Sequence, residues 1–184
     1  MKNDFTFCPK CGSKSIENKN NRKWLCPDCG FDLYNNVAAA VGVIIYDNDH
    51  NILLEVRAKE PKKGFYALPG GFVDPDETAE SAVVRECIEE IGIEIKNPEF
   101  LCTFPNTYEY KGIEYKTCDM FFTVALPDNM TVIDLVSKLS IQETEVQKLV
   151  VAKVNTEEDV KKLPMAFDSS VQTLLKFVRN NKVL

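Results

Sequence analysis

Residues 71–93, GFVDPDETAESAVVRECIEEIGI, constrain this chain more than any other stretch. They spell a helix with a marked beginning and end. Thr78 is placed to cap the N-terminus, and Gly92 follows the last periodic residue as a stop. At about 100° per residue, with Glu86 as zero, Glu90 falls near +40° and Glu89 near −60°. Three carboxylates therefore share roughly a third of the circumference. Ala79 and Ala82 fall in the same arc and leave room beside them. Val83, Val84, Cys87, Ile88 and Ile91 read as an apolar stripe on the opposite side, suited to packing under a sheet.

An acidic helix face is most often only a solvated surface. Here Gly70-Gly71 just ahead of the helix and Arg85 within it favour a built site. Clustered carboxylates repel one another unless a cation joins them. Oxygen-only ligands with room for water and phosphate suit Mg²⁺ or Mn²⁺ rather than zinc.

Gly71, Glu77, Arg85, Glu86, Glu89, Glu90 and Gly92 stand at every fixed position of the Nudix box. The run from Arg57 to Gly71, in the pattern RAxxPxxGxYxLPGG, also resembles that family. The resemblance implies an α/β fold, an α/β/α sandwich with a mixed sheet. It implies that Glu86, Glu89 and Glu90 bind the metals, and that Glu77, through Arg85, holds the loop–helix geometry. Leu68-Pro69-Gly70-Gly71 would let the backbone approach metal and phosphates closely. The implied reaction is attack of water on phosphorus in a diphosphate joined to a nucleoside. A further downstream acid is common in the family, with Glu145 the candidate and Glu143 the alternative. Tyr108 and Tyr110 lie where other subfamilies place substrate-contacting residues, although core aromatics at a strand edge are an equal reading of them.

A second motif lies near the start. Cys8-Pro9-Lys10-Cys11-Gly12 and Cys26-Pro27-Asp28-Cys29-Gly30 are two CxxCG knuckles separated by 14 residues. Four thiolates so paired are a tetrahedral zinc set with no open position, so the zinc is expected to be structural. Disulfides are the rival reading and fit a reducing compartment poorly. A module of this size has too little core to fold without its metal. It resembles a zinc ribbon, giving an expected division into a ribbon over 1–34 and a Nudix domain over 35–184.

Ribbon plus Nudix domain resembles the NADH pyrophosphatase branch. That branch carries an SQPW-type signature after the box. Here the corresponding stretch is Cys102 to Tyr110, CTFPNTYEY, and the signature is absent. The expected substrate class therefore stays broad: ADP-ribose, NADH or a related dinucleotide.

The remaining features are bounds. The 184 residues carry a net charge of −6. The first 33 hold six basic residues (Lys2, Lys10, Lys14, Lys19, Arg22, Lys23) and four acidic ones (Asp4, Glu17, Asp28, Asp32), a surplus of +2 that leaves the rest at −8. So acidic a body is a poor general match for long nucleic acid. An RNA-associated protein that uses the ribbon, or a nucleotide sensor that binds without cutting, are the alternatives to a hydrolase. No apolar run approaches the roughly 20 residues needed to cross a bilayer, and the first residues have no apolar signal core, so a cytoplasmic protein without a membrane partner is expected. Many relatives of this architecture dimerise, which makes a homodimer an expectation by analogy alone.

Strands are expected over Val37–Tyr46, Asn51–Ala58, Glu99–Pro105, Cys118–Leu126 and 149–154. A short helix is expected over Val132–Leu139 and an amphipathic one over Ser169–Asn180, with Val171, Leu174, Leu175 and Val178 on its inner face. Cys87, Cys102 and Cys118 read as buried thiols, Trp24 as ribbon packing, and His50 as a solvated turn residue.

Overall fold

The computed structural model describes residues 4–181; Lys2, counted in the ribbon charge, lies outside them. The first element is a small antiparallel sheet, β1 (Glu17–Lys19), β2 (Lys23–Leu25) and β3 (Asp32–Tyr34), in that order. Trp24 on its middle strand is 6% exposed, packs edge-on against Phe5 at 5.1 Å, and donates its indole N–H to Asp4 at 3.3 Å. Beside it the Cys8 and Cys26 carbonyls accept from the amides of Gly12 and Gly30. Both glycines sit at positive φ (75° and 69°), where a residue with a Cβ is strained, so each knuckle needs its glycine to close.

The larger sheet is mixed. Its strands are β4 (Ala38–Tyr46), β5 (Asn51–Arg57), β6 (Tyr66–Ala67), β7 (Glu99–Tyr110), β8 (Ile113–Ala125) and β9 (Val146–Lys153). The path runs β6-β5-β4-β8-β7, and β9 pairs with β5 along its length. β4 and β8 are parallel, with Ala38 opposite Thr117 and Tyr46 opposite Ala125. β5 meets β4 only at the hairpin end, Tyr46 opposite Ile52. The free edge of β4 is taken instead by the loop 69–73: the amides of Val41 and Val43 donate to Gly71 and Pro69, and Val73 donates to Ala39.

Side chains alternate across this sheet, and each face has its own core. Val41, Val43, Ile45, Leu53 and Phe122 face α1 (Ala79–Ile91) and α2 (Val132–Val136). Ile44, Ile52, Leu54 and Phe121 face α3 (Glu157–Lys161) and α4 (Asp168–Asn181). The result is the expected three layers. Among the described residues no helix is long and apolar enough to cross a membrane.

α1 begins and ends as its sequence dictates. The Thr78 side chain accepts from the Ser81 amide, and Gly92 turns left-handed at φ 70° so that its amide reaches back to the last turn. Its rotation differs from the expectation. Ala82, Val83, Cys87 and Ile91 are fully buried, whereas Ile88 is 48% exposed. The buried arc therefore centres near Glu90, and Ala82 belongs to the core rather than to the acidic side. The helix must aim its carboxylates at the sheet end beside Gly70, and this turns Glu90 inward. In α4, Leu174, Phe177 and Val178 are buried while Val171 and Leu175 are only half-buried, with Ser169, Ser170 and Thr173 completing the buried face. α3 had no counterpart in the sequence reading. β7 and β8 run longer than expected, because they continue past the end of β4 as a two-stranded arm.

Candidate active site

The site forms where the loop 69–73 lies between β4 and α1. Arg85 organises it. Its Nε and Nη2 bind both oxygens of Glu77 at 3.2 and 2.6 Å, a fork-to-fork pair. Nη2 also donates to the Phe72 carbonyl at 2.9 Å, and Nη1 to Glu86 at 2.9 Å and Glu89 at 3.2 Å. Glu77 in turn accepts from the Asp74 amide at 2.7 Å. One cation thus fixes the loop to the helix and gathers three acids. The bonds from Arg85 and the Asp74 amide hold the Glu77 carboxyl below its usual range, and Glu77, with Glu86, holds the guanidinium above its own against the effect of burial.

Glu90 is only 7% exposed, and its Oε2 accepts from the Gly70 amide at 2.8 Å. Burial, with Glu86 and Glu145 nearby, outweighs that amide and pushes its carboxyl up to about 8. Burial raises Glu86 also, against the pull of Arg85. Glu55, on β5 and 4% exposed, is raised well above its usual value by burial and by its contact with Glu90; its Oε1 has no partner. A lone acid inside the strand run NILLEVR was the signal for Glu55, and the sequence reading did not use it.

The two glycines have different tasks. Gly70 lies at φ 145°, and a Cβ there would stand 2.1 Å from the Val41 carbonyl. Gly71 has no such backbone demand, but a Cβ on it would stand 2.5 Å from Glu86 Oε1. The loop and the Glu86 carboxylate are in direct contact because this side chain is missing.

These groups open on a cavity of about 350 Å³. Glu86, Glu89, Glu90, Gly70 and Gly71 are in its lining. Glu145 lines it too, from the turn before β9, with its carboxylate on Lys59 at 2.7 Å. Glu143 is not in the lining. The turn is tied down on both sides, by Gln142 N–H to Glu90 O at 2.9 Å and Ala58 N–H to Glu145 O at 2.7 Å. Arg57 and Lys59 supply positive charge; Arg57 lies over the Phe167 ring at 5.2 Å, and its buried Nη2 has no partner.

Three rings, Phe72, Tyr108 and Phe167, also line the cavity. Tyr108 lies 5.5 Å from Phe72 and 5.7 Å from Phe167, ring centre to ring centre. Tyr110 is outside the cavity, 6.4 Å from Tyr108 and covered by Lys111. Glu77 and Arg85 stand behind the carboxylates rather than in the wall. Arg57, Lys59, Phe72, Phe167 and Asp119 join the site without having been singled out. Only the RAxxPxxG layout marked Arg57; the others come together through strand pairing.

The donor set Glu86, Glu89 and Glu90 is all oxygen, which fits a hard divalent cation, and two of the three carry raised carboxyls that positive charge would relieve. Among the described residues, however, the one group of three or more candidate ligands with all donor atoms within 4.8 Å is Cys8, Cys11, Cys26 and Cys29. Cys8 and Cys29, and Cys11 and Cys26, approach to 3.7 Å. Burial opposes ionisation of Cys8, but the amides of Cys11 and Lys10 outweigh it and bring the thiol to about 7.

A family model for the NUDIX domain matches residues 37–169. An NAD-capped RNA hydrolase, NudC, of Haemophilus influenzae is 36% identical over 107 residues, 55% of this chain and 40% of the relative. The chain thus spans well under half the length of the curated relatives it matches. A Nudix hydrolase of Nitrosomonas europaea superposes with a TM-score of 0.68 at 21% identity, covering 96% of this chain and 92% of the other. The NUDIX domain of Shewanella oneidensis NrtR, solved with ADP ribose, superposes with a TM-score of 0.59 at 23% identity over 80% of this chain and 89% of the other.

Proposed function

Because this chain belongs to the Nudix family, we propose that it is a divalent-metal-dependent pyrophosphohydrolase. Its substrate is a nucleoside diphosphate joined to a second group, with NAD(H) and ADP-ribose as the leading members. The observation that carries the reading is the Arg85-centred frame, which sets Glu86, Glu89 and Glu90 beside a glycine pair in the lining of one cavity. Glu86, Glu89 and Glu90 would hold Mg²⁺ or Mn²⁺. Such a cation neutralises phosphate oxygens and makes a bound water nucleophilic.

The chain's own residues supply the rest. Glu145 stands in the same cavity as an acid able to take a proton from water. Arg57, with an unpartnered buried Nη2, and Lys59 face the phosphates with positive charge. The rings of Phe72, Tyr108 and Phe167 offer flat apolar surface to a base or nicotinamide. The curated relatives are named for NAD at an RNA end, which supports a dinucleotide, free or at the end of a longer strand. In this reading residues 1–34 are a ribbon stapled by structural Zn²⁺, residues 35–184 carry the chemistry, and the chain works in a reducing, cytoplasmic compartment.

The test is release of AMP or phosphate with Mg²⁺ from ADP-ribose, NADH, NAD⁺, FAD, diadenosine polyphosphates and nucleoside triphosphates. The expected result is magnesium-dependent cleavage of diphosphate-linked compounds ahead of triphosphates. Nucleotide binding without cleavage of any member would refute the hydrolase and leave a nucleotide sensor.

A further inference from the structure

Asp119 is a buried carboxylate that the proposed chemistry does not use. It is 7% exposed and lines the same cavity. Its Oδ1 accepts from the Thr117 hydroxyl at 2.6 Å and its Oδ2 from the Ser169 hydroxyl at 2.7 Å. Both hydroxyls are buried, at 3% and 1% exposure. A carboxylate has about four lone-pair positions, so two remain for a ligand. The Thr117 and Ser169 hydroxyls are already given to it, and toward a ligand the carboxylate itself can only accept.

Its distance from the phosphate end follows from register. Ala40 on β4 is bridged to Phe72 on one side and paired with Asp119 on the other. With strands about 4.8 Å apart, the backbones at Phe72 and Asp119 stand about 10 Å apart. Phe72 follows Gly71 directly, so a nucleotide with phosphates at the glycine pair and one ribose between brings its ring to Asp119. The flat side chains of Phe72, Tyr108 and Phe167 line the same cavity as Asp119.

Resting on the reading of this cavity as a nucleotide-diphosphate site, we infer that Asp119 selects the ring by accepting a hydrogen bond from an –NH₂ group on a planar heterocycle. The adenine amine and the nicotinamide carboxamide both present that group. A carbonyl or methyl there would leave the carboxylate unpaired in a buried place or set oxygen against oxygen, and such sites reject the wrong partner strongly. A purely structural Asp119, pinning α4 to β8 through Ser169, would affect folding without affecting this choice.

The experiment compares NAD⁺ with two analogues of the same charge. In nicotinamide hypoxanthine dinucleotide the adenine amine becomes a carbonyl. In 3-acetylpyridine adenine dinucleotide the carboxamide –NH₂ becomes a methyl. Each is measured with wild type and Asp119→Asn, as kcat/KM where cleavage occurs and as Kd by calorimetry where it does not. Asn keeps both hydroxyl bonds, since the hydroxyls can rotate, but turns one acceptor into a donor. The wild type should prefer NAD⁺ over one analogue at least about tenfold, and Asp119→Asn should abolish or invert that ratio while melting within a few degrees of wild type. Loss against the hypoxanthine compound assigns the adenine, and loss against the acetylpyridine compound assigns the nicotinamide. Equal treatment of all three by the wild type, or a ratio that survives in Asp119→Asn, overturns the inference. Preference in Kd without cleavage would instead refute the hydrolase reading and leave this one standing.

Discussion

The sharpest test of the loop–helix contact is Gly71→Ala. The new methyl would stand 2.5 Å from Glu86 Oε1, 2.7 Å from Cδ and 2.8 Å from Oε2, against an ordinary contact of 3.4 Å or more. The carboxylate must therefore retreat by about 0.9 Å, the difference between those two distances. It cannot do so alone, because Arg85 holds it at 2.9 Å while also holding Glu77, Glu89 and the Phe72 carbonyl. The backbone at Gly71 tolerates alanine, so the fold should persist. Displacement of a reacting group by about 1 Å costs roughly 100-fold in rate, and kcat/KM should fall by about that factor. Binding of Mn²⁺, followed by electron paramagnetic resonance, should weaken in parallel. Gly70→Ala is the contrast. Its Cβ meets backbone, the Val41 carbonyl at 2.1 Å, at a φ that alanine avoids. That change should cost on the order of 3 kcal/mol of stability and lower Tm by roughly 6–12 °C for a chain of this size. A Gly71→Ala protein with wild-type Mn²⁺ affinity and kcat/KM would refute the argument that this missing side chain sets the position of Glu86.

Three further outcomes follow. Glu90 carries its proton up to about 8 in the folded chain but only to its ordinary range when unfolded, so stability without added divalent cation should decline as pH rises from about 5 to 8. Glu90→Gln should shrink that decline, leaving the part that buried Glu55 contributes, and abolish turnover, and an unchanged slope in thermal melts would count against the buried proton. Chelating zinc should lower Tm and shift the emission of Trp24, the single tryptophan, to the red until zinc is restored; emission indifferent to chelation would remove the metal from the ribbon. Asp47 is 4% exposed and accepts from the amides of Asp49, Asn51 and Val132, each at 3.0 Å; against the opposing effect of burial they hold its carboxyl low. Asp47→Asn should cost about 3 kcal/mol, and the loss should shrink as acid protonates the wild-type carboxyl; a melt within two degrees of wild type at neutral pH would deny the anchor.

Whatever depends on residues close together in sequence was legible beforehand. Thr78, Gly92, the offsets of Glu86, Glu89 and Glu90, and the two cysteine knuckles are such local facts. The rotation of α1 was legible only in part, because periodicity gives the width of an apolar stripe and not the neighbour that decides where its edge falls. Ala82 and Ile88 changed sides for that reason. Asp119 and Phe72 come to one cavity because Phe72 is bridged to one side of Ala40 and a parallel pairing sets Asp119 on the other, and Phe167 arrives from the turn before α4. No local spacing encodes those meetings. Glu145 and Glu143 were separated by the turn that seats one in the cavity and leaves the other out of it.

The arm of β7 and β8 divides the molecule's labour. Beyond Thr117 these strands pair only with each other, and Tyr108 reaches the cavity from that stretch through ring contacts with Phe72 and Phe167. The acids stand on another foundation, a capped helix and a loop bonded into the sheet. The part that admits a molecule can therefore change without disturbing the part that would cut it. A lineage could trade one ring for another on the arm and inherit the acid frame untouched, which lets a chain of this design acquire new guests by single steps.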